Sequence, residues 1–399
     1  MFDNPFPAPS ARILYVHQNV YVRGPDGAIY AEAQFDMRYW STYLDAFAHV
    51  TVAAHVRPAT AKDDLARLNK LDHAKLSFLF APKLTNLKTY ATDRRIAAKE
   101  LIPVLADADL LVLRTYSELG DLAYRLKPKT LPYVMEMGGC PFDNTWHHGH
   151  VLAKFAAPIR MLKTKARAKH ALGVLYVTRD FLPRRYPTKG LMAVASNVRL
   201  NEPDDTALQA RLAKPIGETV HIGLIGAVNH KLKGVPVAIT ALADAQKRSG
   251  KQIVLHLLGP GDATQLVQMG ANLGLRVEAD GLLPGGQAVY NWLDMLDLYV
   301  QPSFHEGLPR ATLEAMSRAL PVFSSTAGGL PEIVTGANLH KPGDNVTLAN
   351  QLVAFLASGE EIRRKQATLS FERARAYAPS VLEPIRRQFW RRIVEDIER

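Results

Sequence analysis

The chain has 399 residues, enough for two domains with full cores, and its 47% hydrophobic and 22% charged content is ordinary for a soluble globular protein. No run approaches the ~18 apolar residues of a membrane span, the start MFDNPFPAPSARILYV lacks the basic and apolar regions of a signal peptide, and Cys140 as the only cysteine excludes an intrachain disulfide and fits a reducing cytosol. The formal charge of +11 points to an anionic partner: nucleotide phosphates, an acidic membrane surface or nucleic acid.

Arg12 to Val16 reads as an apolar strand ending at His17. A loop with Gly24, Pro25, Asp26 and Gly27 follows, then a helix from Ala28 to Phe47, on which Ala31, Phe35, Tyr39, Tyr43 and Phe47 recur at near-helical spacing. Val50 to Val56 and Leu76 to Phe80 read as strands, Ile96 to Leu105 as a helix and Leu110 to Leu113 as a buried strand. Asp107-Ala108-Asp109 has the D-x-D form of a metal–nucleotide site, but it lies between a helix and a strand start, where Asp is a common turn residue. Arg114 ends the strand, at the edge where α/β proteins place their sites.

Tyr133 to Met135 is another short strand, and Glu136, Gly138, Gly139, Cys140, Asp143, His147, His148 and His150 follow it. His-His-x-His offers metal ligands, yet no H-E-x-x-H accompanies it, so no metal is expected; a cleft loop touching substrate and a solvated loop are the open alternatives. Val151 to Ala171 reads as a helix with an apolar stripe, Leu152, Phe155, Ile159, Leu162 and Ala166, beside the basic Lys154, Arg160, Lys163, Lys165, Arg167 and Lys169. Such a helix can lie on an anionic membrane; it is also compatible with an internal helix whose basic face is solvated. Val174 to Thr178 is a strand, and the polar segment from Asn201 to Gly217, with Pro203 and Pro215, contains the interdomain linker.

The second half opens with a strand from His221 to Ile225, a loop from Gly226 to Gly234 and a helix from Val235 to Ser249. Gln252 to Leu258 is a strand, Val277 to Leu282 leads into Leu283-Pro284-Gly285, and Val289 to Leu296 is a helix. Leu298 to Val300 is a strand; the loop after it carries His305, Glu306, Gly307, Leu308 and Pro309, and a helix from Arg310 to about Arg318 carries Glu314. Pro321 to Phe323 is the next strand and Gly328-Gly329 the next turn, which completes the repeating unit of a parallel sheet. A helix N-terminus offers unpaired N–H groups and a positive dipole end to a phosphate, and Gly307 lets the backbone approach an anion closely. Glu306 and Glu314 would repel a diphosphate, so hydroxyls of a ribose and a sugar are their natural partners; the alternative is one helix-terminal acid and one surface acid. Helices over Asn345–Ala357, Glu360–Tyr377 and Ser380–Arg399 close the chain.

The run P-S-x-x-E-G-x-P-x-x-x-x-E-A-M from Pro302 to Met316, with Pro321-Val322 and Gly328-Gly329-x-Pro331-Glu332 after it, resembles the retaining glycosyltransferases of family 4, which have the GT-B fold. The resemblance is strong over 218–357 and loose over 10–200, and it departs from the family at Ala319-Leu320, where a small residue and Gly usually precede the Pro. It implies two facing Rossmann-like domains with the site between them: an acceptor-side domain over 1–205, a donor domain over 206–379, and a helix over 380–399 that packs back on the first domain. The loop with Gly226 and Lys233 resembles the family's donor-phosphate loop, and Leu283 lies in the segment that holds the base through backbone contacts. Glu314 is then the ribose ligand and Glu306 the donor-sugar ligand, with Gly307, Leu308 and Pro309 beside them. The family often has Arg where Ala227 stands, and Lys231 is the candidate replacement. On the acceptor side the resemblance implies the Gly27 loop, Arg114 and Glu136, and a functional histidine for which His17 and His147 both qualify.

The activity implied is metal-independent, cofactor-free transfer of a UDP- or GDP-linked sugar, with retention, to a glycan or lipid-linked acceptor in cell-surface polysaccharide or glycolipid assembly. The location implied is the cytoplasm or the inner face of the cell membrane. Rival classes are a GT-B epimerase or phosphorylase, a catalytically inactive sugar-nucleotide binder, and a basic nucleic-acid-binding protein. Against the last, there is no named motif and no aromatic–basic interleaving, so nucleic acid is not an expected partner.

Overall fold

Apolar runs in the first half pair into a sheet built on one long central strand. The computed structural model describes residues 10–31, 35–61, 63–84, 89–147, 151–334 and 336–399. The first sheet contains β1 (Arg12–Arg23), β2 (Ile29–Ala31), β3 (His49–Pro58), β4 (Asn69–Leu71), β5 (Leu76–Phe80), β6 (Leu110–Thr115), β7 (Tyr133–Met137), β8 (Gly173–Tyr176) and β9 (Leu191–Val194). Its parallel part runs β5-β3-β1-β6-β7-β8-β9, while β2 and β4 add antiparallel at the far end of β1. Strand order therefore reverses at β1, the place where open α/β sheets bind ligands. The β1–β3 register slips between Val16 and Val20, so His17, Gln18 and Asn19 form an irregularity there.

The helix expected to start at Ala28 starts later. Gly24 to Gly27 make a hairpin turn, with Gly27 at φ +80° and Gly24 N–H donating to the Ala28 carbonyl at 2.9 Å. Ile29–Ala31 then pairs back on β1 as a strand, which suits its β-branched and aromatic residues. The helix is Met37–Ala46, and the Asp36 carboxylate caps it by accepting from Tyr39 N–H at 2.9 Å. The aromatic stripe survives: Phe35, Tyr39, Tyr43 and Phe47 are all buried.

The second sheet contains β10 (Thr219–Ile225), β11 (Gln252–Leu258), β12 (Arg276–Gly281), β13 (Leu298–Gln301), β14 (Val322–Ser325) and β15 (Leu339–His340). It is parallel, in the order β12-β11-β10-β13-β14-β15, with its own reversal at β10. Helices Val235–Ser249 and Asn345–Ala357 cover one face of it, packing Ile239, Leu242, Leu352 and Phe355 on the strands. Gln287–Met295 and Arg310–Ser317 lie on the other face, where Trp292, Leu293, Leu313 and Met316 join the core of the first domain.

The last helix, Pro379–Ile397, returns to the first sheet. Its fully buried Trp390 meets the rings of Tyr43 at 5.1 Å and Phe47 at 5.6 Å. Gly173 on β8 makes room for it, since a Cβ there would stand 2.8 Å from Ile393 and 3.1 Å from Phe389.

Helix Val151–His170 buries Ala157, Thr164 and Ala168 rather than its large apolar residues. Phe155, Ile159 and Leu162 point outward, 72%, 55% and 63% exposed. Arg160 and Arg167 tie the helix to the domain through Glu118 and Asp121. Asp107 and Asp109 both bond to Arg12 at the strand starts, the end of the sheet opposite its reversal edge.

Candidate active site

A cleft of about 670 Å³ lies between the domains, lined by the His17–Asn19 irregularity of β1 and by residues at the C-terminal ends of β6, β10 and β13. On its second-domain side, β13 breaks at Pro302 and the chain turns back through Ser303 to Glu306. Glu306 is 8% exposed. Its Oε1 accepts from Lys233 Nζ at 2.7 Å, Ser303 Oγ at 2.8 Å and Gln301 Nε2 at 3.4 Å. Tyr299 supports this set from below, donating to Gln301 Oε1 at 2.7 Å while accepting from Ile225 N–H at 3.1 Å. Among the described residues no donor reaches Oε2, so that oxygen is available to a ligand hydroxyl. Lys233 gets there by lying along Gly226, where any Cβ would stand 3.0 Å from its methylenes.

The glycines of the motif are contact residues. A Cβ on Gly307 would stand 2.3 Å from the carbonyl oxygen of Gly138 in the first domain, and one on Gly328 would stand 2.0 Å from the Glu306 carbonyl oxygen. Gly329 N–H donates to Gly307 at 2.7 Å. Helix Arg310–Ser317 begins directly after, with Pro309 at the cap position and no side chain capping its first N–H groups. Glu314, one turn in, lines the cleft; its carboxylate has no hydrogen-bond partner among the described residues, and burial pushes its pKa up against the pull of Arg310. Arg310 also lines the cleft. Its i, i+4 spacing from Glu314 is the signal of it that the sequence carries.

On the first-domain side Arg114 is the fixed cation. Its Nη1 donates to Glu136 Oε2 at 3.0 Å and to Tyr39 OH at 3.2 Å, and its guanidinium lies over the Phe35 ring at 5.2 Å. Glu136 itself does not line the cleft. It is buried beneath Arg114, where its carboxylate also accepts from Tyr15 OH at 2.6 Å, Tyr39 OH at 2.8 Å and Tyr43 OH. It stands against Arg114 and the three tyrosines, not against the cleft expected for an acceptor-side residue. Burial, with the neighbouring Glu136 charge, raises the pKa of all three tyrosines.

The β1 irregularity brings His17 to the cleft wall, 2% exposed, with Nε2 at 3.1 Å from Tyr21 OH and Nδ1 without a partner. Burial, then the Arg114 charge, lowers its pKa, which favours the neutral ring. His147 follows the short helix Pro141–Trp146 and is not among the cleft-lining residues. His148 and His150 lie outside the described residues. Gly27 is in the hairpin turn, and neither it, Leu283 nor Lys231 lines the cleft. Gly226, Leu308 and Pro309 do line it, and so do Asn197 and Gln301, which sequence reading missed. Among the described residues, a His–carboxylate group of metal-binding geometry, His256 with Glu278 and Asp280, lies on β11 and β12, away from this wall.

Residues 219–358 match the family described as glycosyl transferases group 1. Over 346 residues the chain is 29% identical to Protein CapJ of Staphylococcus aureus, covering 84% of each chain. Among solved structures, sucrose-phosphate synthase of Thermosynechococcus elongatus superposes with a TM-score of 0.71 at 19% identity, over 97% of this chain and 100% of that one. HepE of Anabaena, solved in complex with UDP and glucose, superposes with a TM-score of 0.62 at 18% identity, over 98% of this chain and 100% of that one. With a matched domain that contains Lys233, Glu306 and Glu314, and two Rossmann-like domains closing on one cleft, the chain is a glycosyltransferase of the GT-B fold whose second domain is of the group 1 type.

Proposed function

We propose that this glycosyltransferase moves a sugar from a nucleotide-sugar donor to an acceptor hydroxyl with retention of anomeric configuration and without a metal. The observation that carries the reading is the Lys233–Glu306 pair at the reversal edge of the second sheet, with Glu314, without a hydrogen-bond partner among the described residues, one turn into the helix that follows. Glu314 takes the ribose hydroxyls, Glu306 Oε2 the donor-sugar hydroxyls, and Lys233 with the free N–H groups of helix Arg310–Ser317 the diphosphate. The acceptor oxygen bonds to the anomeric carbon as the bond from that carbon to the phosphate oxygen breaks. The electron pair leaves with the diphosphate, whose oxygen takes the acceptor's proton on the same face. Lys233 stabilises the charge that grows there. Both carboxylates are committed to hydroxyls, so the scheme uses no covalent intermediate on the enzyme.

A UDP-linked donor is favoured by the likeness to HepE, which was solved with UDP and glucose. The outward stripe of Phe155, Ile159 and Leu162, with exposed Lys154, Lys163 and Lys169 around it, supports peripheral attachment to an anionic membrane and a lipid-linked acceptor. That would place the reaction on the inner face of the cell membrane, in polysaccharide or glycolipid assembly.

The test is thermal shift with UDP-, GDP- and ADP-sugars in the presence of EDTA, since a ligand of the folded state raises stability by mass action. A shift with one nucleotide series is expected, followed by transfer to lipid-linked or soluble glycans with the donor's anomeric configuration kept in the product by NMR. Folded protein that shifts with none of them, or product of inverted configuration, sinks the reading.

A further inference from the structure

Arg310 is the first residue of its helix and is open to the solvent of the cleft. It makes no hydrogen bond or ion pair with any described residue. The charges it feels are Glu314 one turn along the same helix and the Arg114 guanidinium of the first domain. A cation at the positive end of a helix, lining the same cleft as a second fixed guanidinium, is electrostatically unfavourable. Arg114 is already held by Glu136, so it cannot swing away to relieve the repulsion. An anion between the two turns each of these terms favourable. His17, 2% exposed, adds a second unmet group on the same cleft, a buried Nδ1 without a partner.

We infer that Arg310 is a ligand of the donor's sugar-linked phosphate, acting with Lys233 and with the N–H groups of its own helix. The inference rests on the nucleotide-sugar reading above and deepens it. If Glu314 holds the ribose and Glu306 the sugar, the diphosphate must pass between them. Arg310 stands between them in the chain, and Glu314 lies four residue steps along the helix from it, a rise of about 6 Å. A guanidinium offers a planar fork of donors that fits two phosphate oxygens, where Lys233 offers a point charge already shared with Glu306.

The experiment is calorimetric titration of UDP and UMP, with GDP and GMP and ADP and AMP alongside, into wild type, Arg310→Ala and Arg310→Lys. Each variant is first shown to melt like wild type. Arg310→Ala should weaken diphosphate binding about 10- to 100-fold while leaving monophosphate binding within about 3-fold, and Arg310→Lys should recover part of the loss. Equal losses for diphosphate and monophosphate, no loss for either, or a change confined to acceptor KM would overturn the assignment. A wild type that binds the diphosphate normally separates failure of this assignment from failure of the donor reading; a wild type that binds none of the six overturns both.

Discussion

Lys233 Nζ lies 2.7 Å from Glu306 Oε1, so the residue assigned to the phosphate neutralises the residue assigned to the sugar. Lys233→Ala would leave Glu306 nearly buried without its counter-ion. The expected cost is about 2–3 kcal/mol, below that of a fully enclosed pair because the Lys233 side chain is 27% exposed. The double variant Lys233→Ala/Glu306→Ala should be no less stable than Lys233→Ala alone, and urea denaturation measures both. Turnover should fall by about 10²–10³ in either single variant; near-full activity would remove that residue from the mechanism.

Glu136 is expected to act through Arg114. Glu136→Gln keeps the shape and loses the charge, so Arg114 should be released while the fold persists. Acceptor KM should rise more than donor KM, and the effect should vanish in an Arg114→Ala background. Glu136→Ala, which strips a buried carboxylate from three tyrosines and an arginine, should cost about 3–5 kcal/mol by chemical denaturation.

Glu332 clasps the two domains. Its carboxylate accepts from the backbone N–H groups of Arg179 at 2.5 Å, Asp180 at 3.0 Å and Phe181 at 2.8 Å, at the start of helix Phe181–Arg185. Glu332→Ala should widen the cleft and slow turnover several-fold, with Glu332→Gln intermediate because its amide oxygen still accepts. Small-angle scattering checks it: an unchanged radius of gyration with unchanged turnover would deny the clasp.

Acid should destabilise the fold through buried histidines. Burial holds His340 down at about 4, and it lowers His17, His55 and His305 as well. Between pH 6.5 and 4 the unfolded chain binds the proton that native His340 refuses, so stability falls as pH drops through that window. His340 should contribute up to about 3 kcal/mol of that loss. Denaturation midpoints across the window should flatten in His340→Asn; an unchanged slope would mean the ring is protonated in the native state.

Replacing Phe155, Ile159 and Leu162 together by Ser should leave the melting temperature close to wild type, because all three are exposed. Sedimentation with phosphatidylglycerol vesicles should capture wild type and not the triple variant, and added salt should weaken capture. Equal binding by both proteins would locate the membrane contact elsewhere or remove it.

What was legible in the chain was mostly local. The segment from Pro302 to Glu332 carries its own punctuation: Pro and Gly break the strand, a 3.6-residue pattern follows, and Glu306 stands before that pattern and Glu314 within it. The GT-B architecture inferred from that resemblance is the one observed. Less legible was β1, because the polar His17-Gln18-Asn19 reads as a strand end when it is an irregularity inside a twelve-residue strand. The segment after it has helical spacing although it holds a strand, because Ala31 and Phe35 continue the aromatic stripe of Met37–Ala46 and the spacing carries no mark of where the Asp36 cap begins.

The parallel α/β plan, the glycosyltransferase motif and the two carboxylates of the second domain are all written locally in the chain, since strand length, turn residues and side-chain spacing are properties of neighbouring positions. The folded arrangement of distant segments sets which side chains share a wall. It took Gly27 and Leu283 off the cleft, put Glu136 beneath Arg114, added Arg310, and turned Phe155, Ile159 and Leu162 outward. It also showed why Gly307 is glycine, by setting the Gly138 carbonyl against it from the other domain. An amphipathic pattern states that a helix has two faces, and a glycine that something comes close. Which face is covered, and by what, depends on segments far away in the chain.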